Sequence, residues 1–436
     1  MLERQITKTV DQLKRTLGED ALFRLGRRSG FEKRERSITT MRFVGSLLHS
    51  LGTRRVESIA DLLRDFNYDH DEAIYYKPYY NRLDCEGFPE LMRQLFETMM
   101  STLSAQVLRP AKDGPLRRFQ DVILHDGTSF GLHDDLAAAF PGRFTKVRPA
   151  AVELHTTVSL FYDNFSCVTV APDAESERHF TPEPSELRGK LFLADRNFDG
   201  IPFVRSIAQG GGHFIIRLRS NLNPEVFKIH RNGPRYRALE GRRLSEVIKR
   251  LPKGKTHDLD VSCKDGWCVR IVLKWAGTER GWMRLITNLN RSDFATAEVL
   301  QAYRLRWQVE LFYKELKSYA NLHIFCTRKR HIAEGLIWAA LCAAFLKRYM
   351  AHACQRVSCE AISTRRVSMC SHTFLKDLFR SLRGGFRNLR SLLERTFHFL
   401  SVNALRANLK RERRKGRLAS PLDLIGPRSH RNQAIA

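Results

Sequence analysis

Asp126, Asp195 and Glu310 are carboxylates placed by two different kinds of element. Asp126 ends the run Val122-Ile123-Leu124-His125, and Asp195 ends Leu191-Phe192-Leu193-Ala194. Both read as aspartates at the carboxyl ends of buried strands, where open α/β sheets build their sites. One such aspartate alone reads equally well as a turn former. Glu310 lies in a helical stretch from Tyr303 to Lys317. At roughly 100° per residue, Tyr303, Arg306, Glu310, Lys314 and Lys317 share one stripe, and Leu305, Val309, Phe312 and Leu316 fall opposite. A solvated face with casual ion pairs would carry the same charges, but it would not need the tyrosine. Three converging carboxylates suit two Mg²⁺ or Mn²⁺ ions, which take hard oxygen ligands. Two such ions can activate a hydroxyl and stabilise the leaving oxygen of an in-line phosphodiester displacement. Arg306 and Lys317 would neutralise the phosphates beside the cut.

The elements around these residues predict an α/β fold. Residues 1–115 read as helical, with apolar positions three and four apart in Met41–Leu48 and Leu91–Met99. Ser58–Leu83 reads as helix, polar turn, helix, carrying Tyr75, Tyr76, Lys77, Tyr79, Tyr80, Asn81 and Arg82. That is either a DNA-facing helix-turn-helix or an ordinary bundle with half-buried tyrosines. Residues 116–220 alternate strands and helices, including a hairpin turned at Tyr162-Asp163-Asn164, which argues a mixed sheet. Residues 221–290 read as a β-rich insertion. A long helix over about Phe294–Tyr319 opens the segment 291–330. Helices continue over 331–405, and 406–436 form a basic, mobile tail.

Tyr303, Arg306, Glu310 and Lys317 reproduce a Y-x-x-R-x-x-x-E-x-x-x-x-x-x-K signature without a mismatch. With His125–Phe130 and Leu193–Phe198 as the two aspartate motifs in order, the chain resembles the DDE transposases of bacterial insertion sequences, in the branch typified by insertion sequence 4. The resemblance covers about residues 115–330. It implies a ribonuclease-H-like core interrupted by a β-rich insertion; residues 1–115 are expected to form a helical DNA-binding domain before it. It implies that Asp126, Asp195 and Glu310 hold two Mg²⁺ or Mn²⁺ ions, with Tyr303, Arg306, Lys314 and Lys317 contacting DNA. The partners it implies are double-stranded transposon ends and target DNA, and further copies of the chain in a synaptic complex. It further implies that a tryptophan among Trp267, Trp275 and Trp282 stacks on a base extruded near the cut; packing within the insertion is the alternative. Some members carry a longer acidic motif where Arg196-Asn197-Phe198 follow Asp195.

Charge agrees with these readings. The 436 residues carry a formal net charge of +27, which a polyanion would screen. With 43% apolar and 10% aromatic residues there is material for real cores. The longest apolar run, Gly335–Leu346, is too short to span a bilayer and reads as a buried helix. No export signal opens the chain, and nine cysteines without framework spacing fit a reducing compartment. The expectation is a bacterial cytoplasmic, nucleoid-associated protein.

Other chemistry finds less support. Cys263, Cys268, Cys354, Cys359, Cys370 and His372 lack zinc spacing. Gly210-Gly211-Gly212 precede a strand rather than opening a helix. Thr128 and Ser129 have no placed partners for acyl transfer. Asp134, Asp135 and Asp163 read as turn residues, whereas Glu153, at the start of a strand, rivals the chosen triad. A nuclease of the same fold without a joining step, or an inactive transposon-derived DNA-binding protein, would carry the same motifs.

Overall fold

The computed structural model describes residues 2–406 and 425–427, apart from 35, 36, 72, 112, 113, 264, 265, 323–326, 359, 384 and 385. Helices α1 (Leu2–Leu17), α2 (Glu19–Arg28), α3 (Thr40–Thr53), α4 (Ile59–His70), α5 (Tyr76–Leu83) and α6 (Gly87–Leu103) come first. A short strand, β1 (Leu108–Pro110), follows. The sheet then begins with β2 (Val122–Gly131), β3 (Ala151–Ser159), β4 (Asn164–Pro172) and β5 (Leu191–Ala194). Helix α7 (Ile201–Gln209) leads to β6 (His213–Arg217), β7 (Glu225–Ile229), α8 (Pro234–Arg237), β8 (Arg242–Arg243) and α9 (Leu244–Arg250). Strands β9 (His257–Ser262), β10 (Cys268–Trp275) and β11 (Trp282–Thr287) complete it. The remaining helices are α10 (Thr296–Tyr303), α11 (Trp307–Tyr319), α12 (Arg330–Gln355), α13 (Thr364–Met369), α14 (Leu375–Arg383) and α15 (Phe386–Asn403).

The large sheet has the order β4-β3-β2-β5-β6-β11-β10-β9-β7-β8. β2, β3 and β4 pair antiparallel, whereas β2–β5 and β5–β6 pair parallel. The strands of 221–290 continue this same sheet, because β11 adds antiparallel to β6. Alternation of side chains gives the sheet a core on each face. Leu124, Leu191, Leu193 and Ile215 point into a core shared with the helices. Ile123, Phe192, Ala194, Phe214 and Ile216 join a second core containing Val204 of α7 and Val247 of α9.

The apolar run Gly335–Leu346 forms the middle of α12, which packs against α6 and α3. Gly335 permits the closest approach: a Cβ there would lie 2.2 Å from the Phe88 ring. Ser58–Leu83 does form two helices, and Asn67 closes the turn between them by exchanging hydrogen bonds with the Ile74 backbone. Its aromatics divide: Tyr79 is fully buried, whereas Tyr75 is 82% exposed. Arg82 is spent on the carbonyls of Phe31 and Ile38. The basic tail falls outside the described residues, save that β12 (Ile425–Pro427) pairs antiparallel with β1.

Two local expectations need correcting. The single helix over Phe294–Tyr319 is α10 and α11 joined by a 3₁₀ turn at Arg304–Arg306. Tighter winding eclipses residues three apart, which brings the Arg306 guanidinium to 6.0 Å from the Tyr303 ring centroid. Asp126 does not end its strand, because β2 runs on to Gly131. What ends there is the parallel partner: β5 pairs with β2 only through Leu124 and stops at Ala194. Asp126 therefore faces a gap opened by its neighbour's termination.

Candidate active site

Asp195 follows β5 directly, so the gap beside Asp126 contains the second aspartate. The two aspartate motifs also touch behind the strand, where the buried His125 ring packs edge-on to Phe198 at 5.0 Å. Burial first, then neighbouring His155, pushes the His125 imidazole down to about 3, so it serves as a neutral core group.

The α10–α11 unit supplies the third carboxylate and the ties between all three. Arg306 Nη2 donates to Glu310 Oε1 at 2.6 Å, while Nη1 lies 3.6 Å from Asp126 Oδ2. The Tyr303 hydroxyl donates to Asp195 Oδ1 at 3.5 Å, and Arg217 on β6 lies 3.9 Å from the same oxygen. Tyr303 is thus a buried part of the site and not an exposed member of a stripe. Burial, and then Asp195, push its phenol well above the ordinary value, so it remains a hydrogen-bond donor. Lys317 Nζ donates to the Ser129 carbonyl at 3.3 Å, three residues along β2 from Asp126. Lys314 is not drawn in: its ammonium sits 5.3 Å over the Trp307 ring.

Asp126 is electrostatically under-compensated. Its carboxyl is pushed up to about 6, first by burial and also by the like charges of Asp195 and Glu310, with Arg306 and the Gly127 N–H opposing. Among the described residues no three Asp, Glu, His or Cys side chains close on one point as a finished metal cage. Arg306 instead shares its charge between Asp126 and Glu310. The donor chemistry nonetheless fits a hard divalent cation: oxygen donors, partly buried, and short of positive charge.

Register puts Glu153 and Asp126 on opposite faces of β3 and β2. Asp126 pairs with Thr156, whereas Glu153 pairs with Ser129 and so points to the opposite face of the ribbon. There it meets Arg143 at 2.9 Å and lies against Gly127, where a Cβ would be 2.3 Å from Oε1. Tyr313 was not singled out by its sequence position. On the Asp126 face, its buried hydroxyl donates to the Asp126 backbone carbonyl and shares a hydrogen bond with Thr156. The available signal was a tyrosine three positions after Glu310 on a face otherwise filled by Val309, Phe312 and Leu316. The three tryptophans are partly buried. Trp275 and Trp282 form a cross-strand pair, T-shaped at 5.5 Å, and Trp267 lies under Arg205 beside Phe214.

Residues 117–346 match the family described as the transposase DDE domain, which is more than half of the chain. The chain belongs to the DDE transposases. The transposase for insertion sequence element IS421 of Escherichia coli is 26% identical over 229 residues, covering 42% of this chain and 58% of that protein. The chain therefore aligns with just under three fifths of that relative's length. The transposase for insertion sequence element IS231B of Bacillus thuringiensis subsp. berliner is 20% identical over 448 residues, covering 91% of this DDE transposase chain and 92% of its relative. Among solved structures, a piggyBac transposase synaptic complex with hairpin DNA covers 92% of the chain at 13% identity, with a TM-score of 0.46. Among the described residues of this DDE transposase, no helix is long and apolar enough to cross a membrane.

Proposed function

We propose that this protein is a DNA transposase that binds the terminal inverted repeats of an insertion sequence and carries out strand cleavage and strand transfer. The observation that carries the reading is the meeting of Asp126, Asp195 and Glu310 around Arg306 and Tyr303, in a chain of the DDE family. The strand order β4-β3-β2-β5-β6, antiparallel and then parallel, supports a ribonuclease-H-like core.

Asp126, Asp195 and Glu310 would hold two Mg²⁺ or Mn²⁺ ions, which when bound activate a hydroxyl and stabilise the leaving oxygen. The chain's own residues do the rest. Arg306, buried between two carboxylates, orients a phosphate with its planar fork. Lys317 offers a point charge along β2. Tyr303 holds Asp195 in place through its hydroxyl. Lys314, on the Trp307 side, would meet the DNA farther from the cut. The partners are double-stranded transposon ends and target DNA, with copies of the chain assembling around them.

The test uses a supercoiled plasmid carrying the two ends of the element, incubated with the purified full chain and Mg²⁺. Nicking at the ends followed by joining to target DNA supports the reading. Nicking without joining would point to a nuclease, and binding without either to an inactive DNA-binding protein. Arg306→Ala and Lys317→Ala should each lower the salt slope of binding by about one unit per lost phosphate contact.

A further inference from the structure

The connection from β2 to β3 carries a feature that the triad does not use. Between Asp135 and Glu153 the sequence has Arg143, Lys146 and Arg148 and no acidic residue. Within it, Phe144 is 69% and Val147 88% exposed, two large apolar side chains set among bases. Isolated apolar residues on a surface need no explanation. Here two of them share one short tip, and that tip is braced.

The brace is built from backbone. Pro141 and Ala150 form a bridge, and the Gly142 N–H donates to the Pro149 carbonyl at 2.8 Å. Gly142 is required, since a Cβ there would fall 2.1 Å from the Arg148 carbonyl oxygen. Arg143 pins the root to the neighbouring strands: its N–H donates to Asp173 Oδ2 at 3.0 Å and its guanidinium to Glu153 at 2.9 Å. At the tip, the Val147 and Arg148 N–H groups donate to the Phe144 carbonyl at 3.0 and 2.8 Å. The turn therefore presents Phe144 and Val147 with little ordering left to do on binding.

Its position joins it to the candidate site. The connection leaves β2 at the end that runs past Asp126. The Arg148 side chain lies along Gly131, two residues from the Ser129 carbonyl that Lys317 holds. Arg148 thus brings a second base near Lys317, and Lys146, Phe144 and Val147 follow on the same short turn.

We propose that the Phe144–Val147 tip is a DNA wedge: Phe144 and Val147 press against or between base pairs flanking the cut, while Lys146 and Arg148 take the adjoining phosphates. Apolar wedges flanked by bases are how proteins open and kink base steps. The proposal rests on the DNA reading above. The acid-free segment and its continuity with the site's bases favour DNA over a protein partner as the occupant.

The experiment uses the full chain with p-benzoylphenylalanine at position 144, irradiated with a labelled mixed-sequence duplex and Mg²⁺. The expected result is a covalent protein–DNA adduct at 144, above the background set by the same group at Val402, which is exposed on α15. The double variant Phe144→Ala, Val147→Ala should bind the duplex roughly tenfold more weakly with an unchanged salt slope. Lys146→Ala with Arg148→Ala should instead reduce that slope by about two units. A crosslink to a second copy of the chain, or none above background together with unchanged affinity in the apolar double variant, overturns the wedge. Nicking that depends on Asp126 while the wedge tests fail sinks only this inference; nicking indifferent to Asp126 sinks the catalytic reading while leaving a positive crosslink standing.

Discussion

Two carboxylate clusters border α11, and they are balanced in opposite ways. On one side, Asp126 and Glu310 share Arg306 while Asp195 meets Arg217 at the edge, and Asp126 is pushed up to about 6. On the other, Arg348 of α12 meets Asp163 at 2.8 Å and Glu315 at 3.0 Å, and His352 adds a contact to Asp163 at 3.2 Å. Burial works against the Asp163 charge, but Arg348 and His352 outweigh it and hold the carboxyl at about 2. The residue types are the same in both places. In the second cluster Arg348 bridges both acids, and His352, Thr364 and Ser368 complete the hydrogen bonds to their oxygens, so the cluster clamps α11 to the β3–β4 turn and to α12. In the first, negative charge is left over, and that surplus is what a divalent cation would meet; the cation would in turn meet the phosphate. A deficit of compensation, rather than the presence of acids, separates a candidate catalytic cluster from a structural one.

The largest expected effect breaks the first cluster. Asp126→Asn, Asp195→Asn or Glu310→Gln should each lower cleavage on the order of 10³-fold or more, since each would remove a metal donor. Duplex affinity should stay within a few-fold, as measured by filter binding beside a nicking assay. Asp126 also carries a signed pH consequence. Its folded pKa lies above the unfolded value, so its neutral form is stabilising at low pH, and that contribution is lost as pH rises through about 6. At neutral pH, Asp126→Asn should therefore raise metal-free stability, on the order of 1 kcal/mol after allowing for solvent screening. Apparent Mg²⁺ affinity of the natural protein should fall as pH is lowered through about 6. If Asp126→Asn both cleaves normally and loses stability, the two clusters are alike and the comparison collapses.

Next in size is the compensated cluster. Arg348→Met would leave the half-buried Asp163 and the more deeply buried Glu315 without their main partner, a loss on the order of 2–3 kcal/mol in denaturant unfolding after allowing for solvent screening at Asp163. The molecules that remain folded should show an unchanged Mg²⁺ requirement. A shift in that requirement at full stability would place Arg348 in the site and blur the distinction.

Tyr313, bonded to the Asp126 carbonyl and Thr156 at the first cluster, sharpens the boundary. Tyr313→Phe removes the bond to the Asp126 carbonyl at a cost of about 1 kcal/mol in stability. Because that bond positions the Asp126 backbone, the Mg²⁺ concentration for half-maximal cleavage should rise while duplex affinity holds. A stability loss with no change in metal dependence would make Tyr313 purely structural. The smallest effect concerns Trp275 and Trp282, whose edge-to-face pairing is worth about 0.5–1.5 kcal/mol. Trp282→Leu, which keeps apolar bulk but loses the ring pair, should lower thermal stability by about that much. If 2-aminopurine fluorescence at the end-flanking base also falls, the pair serves a base as well as the hairpin; an unaffected probe leaves it as packing.

The sequence by itself determined the signature Tyr303, Arg306, Glu310 and Lys317, the two aspartate motifs, the α/β pattern and the buried α12, because helix and strand periods are local physics. It also identified the Tyr162–Asn164 turn, where Asp163 takes a left-handed φ of 49°. Tertiary structure decided the rest. That Glu153 points away from Asp126 follows from the β2–β3 register, which sequence spacing alone does not fix. That Asp126 lies mid-strand follows from β3, which pairs with β2 as far as Gly131, and the gap it faces follows from where β5 stops. Asp163 is more than a turn residue because Arg348, 185 positions away in the chain, reaches it across the core. Tyr313 matters through a hydroxyl aimed at a carbonyl 187 positions distant. Each of these depends on which distant groups share a low-dielectric space, and the strength of a charge or hydrogen bond is set by that space rather than by the residue that carries it.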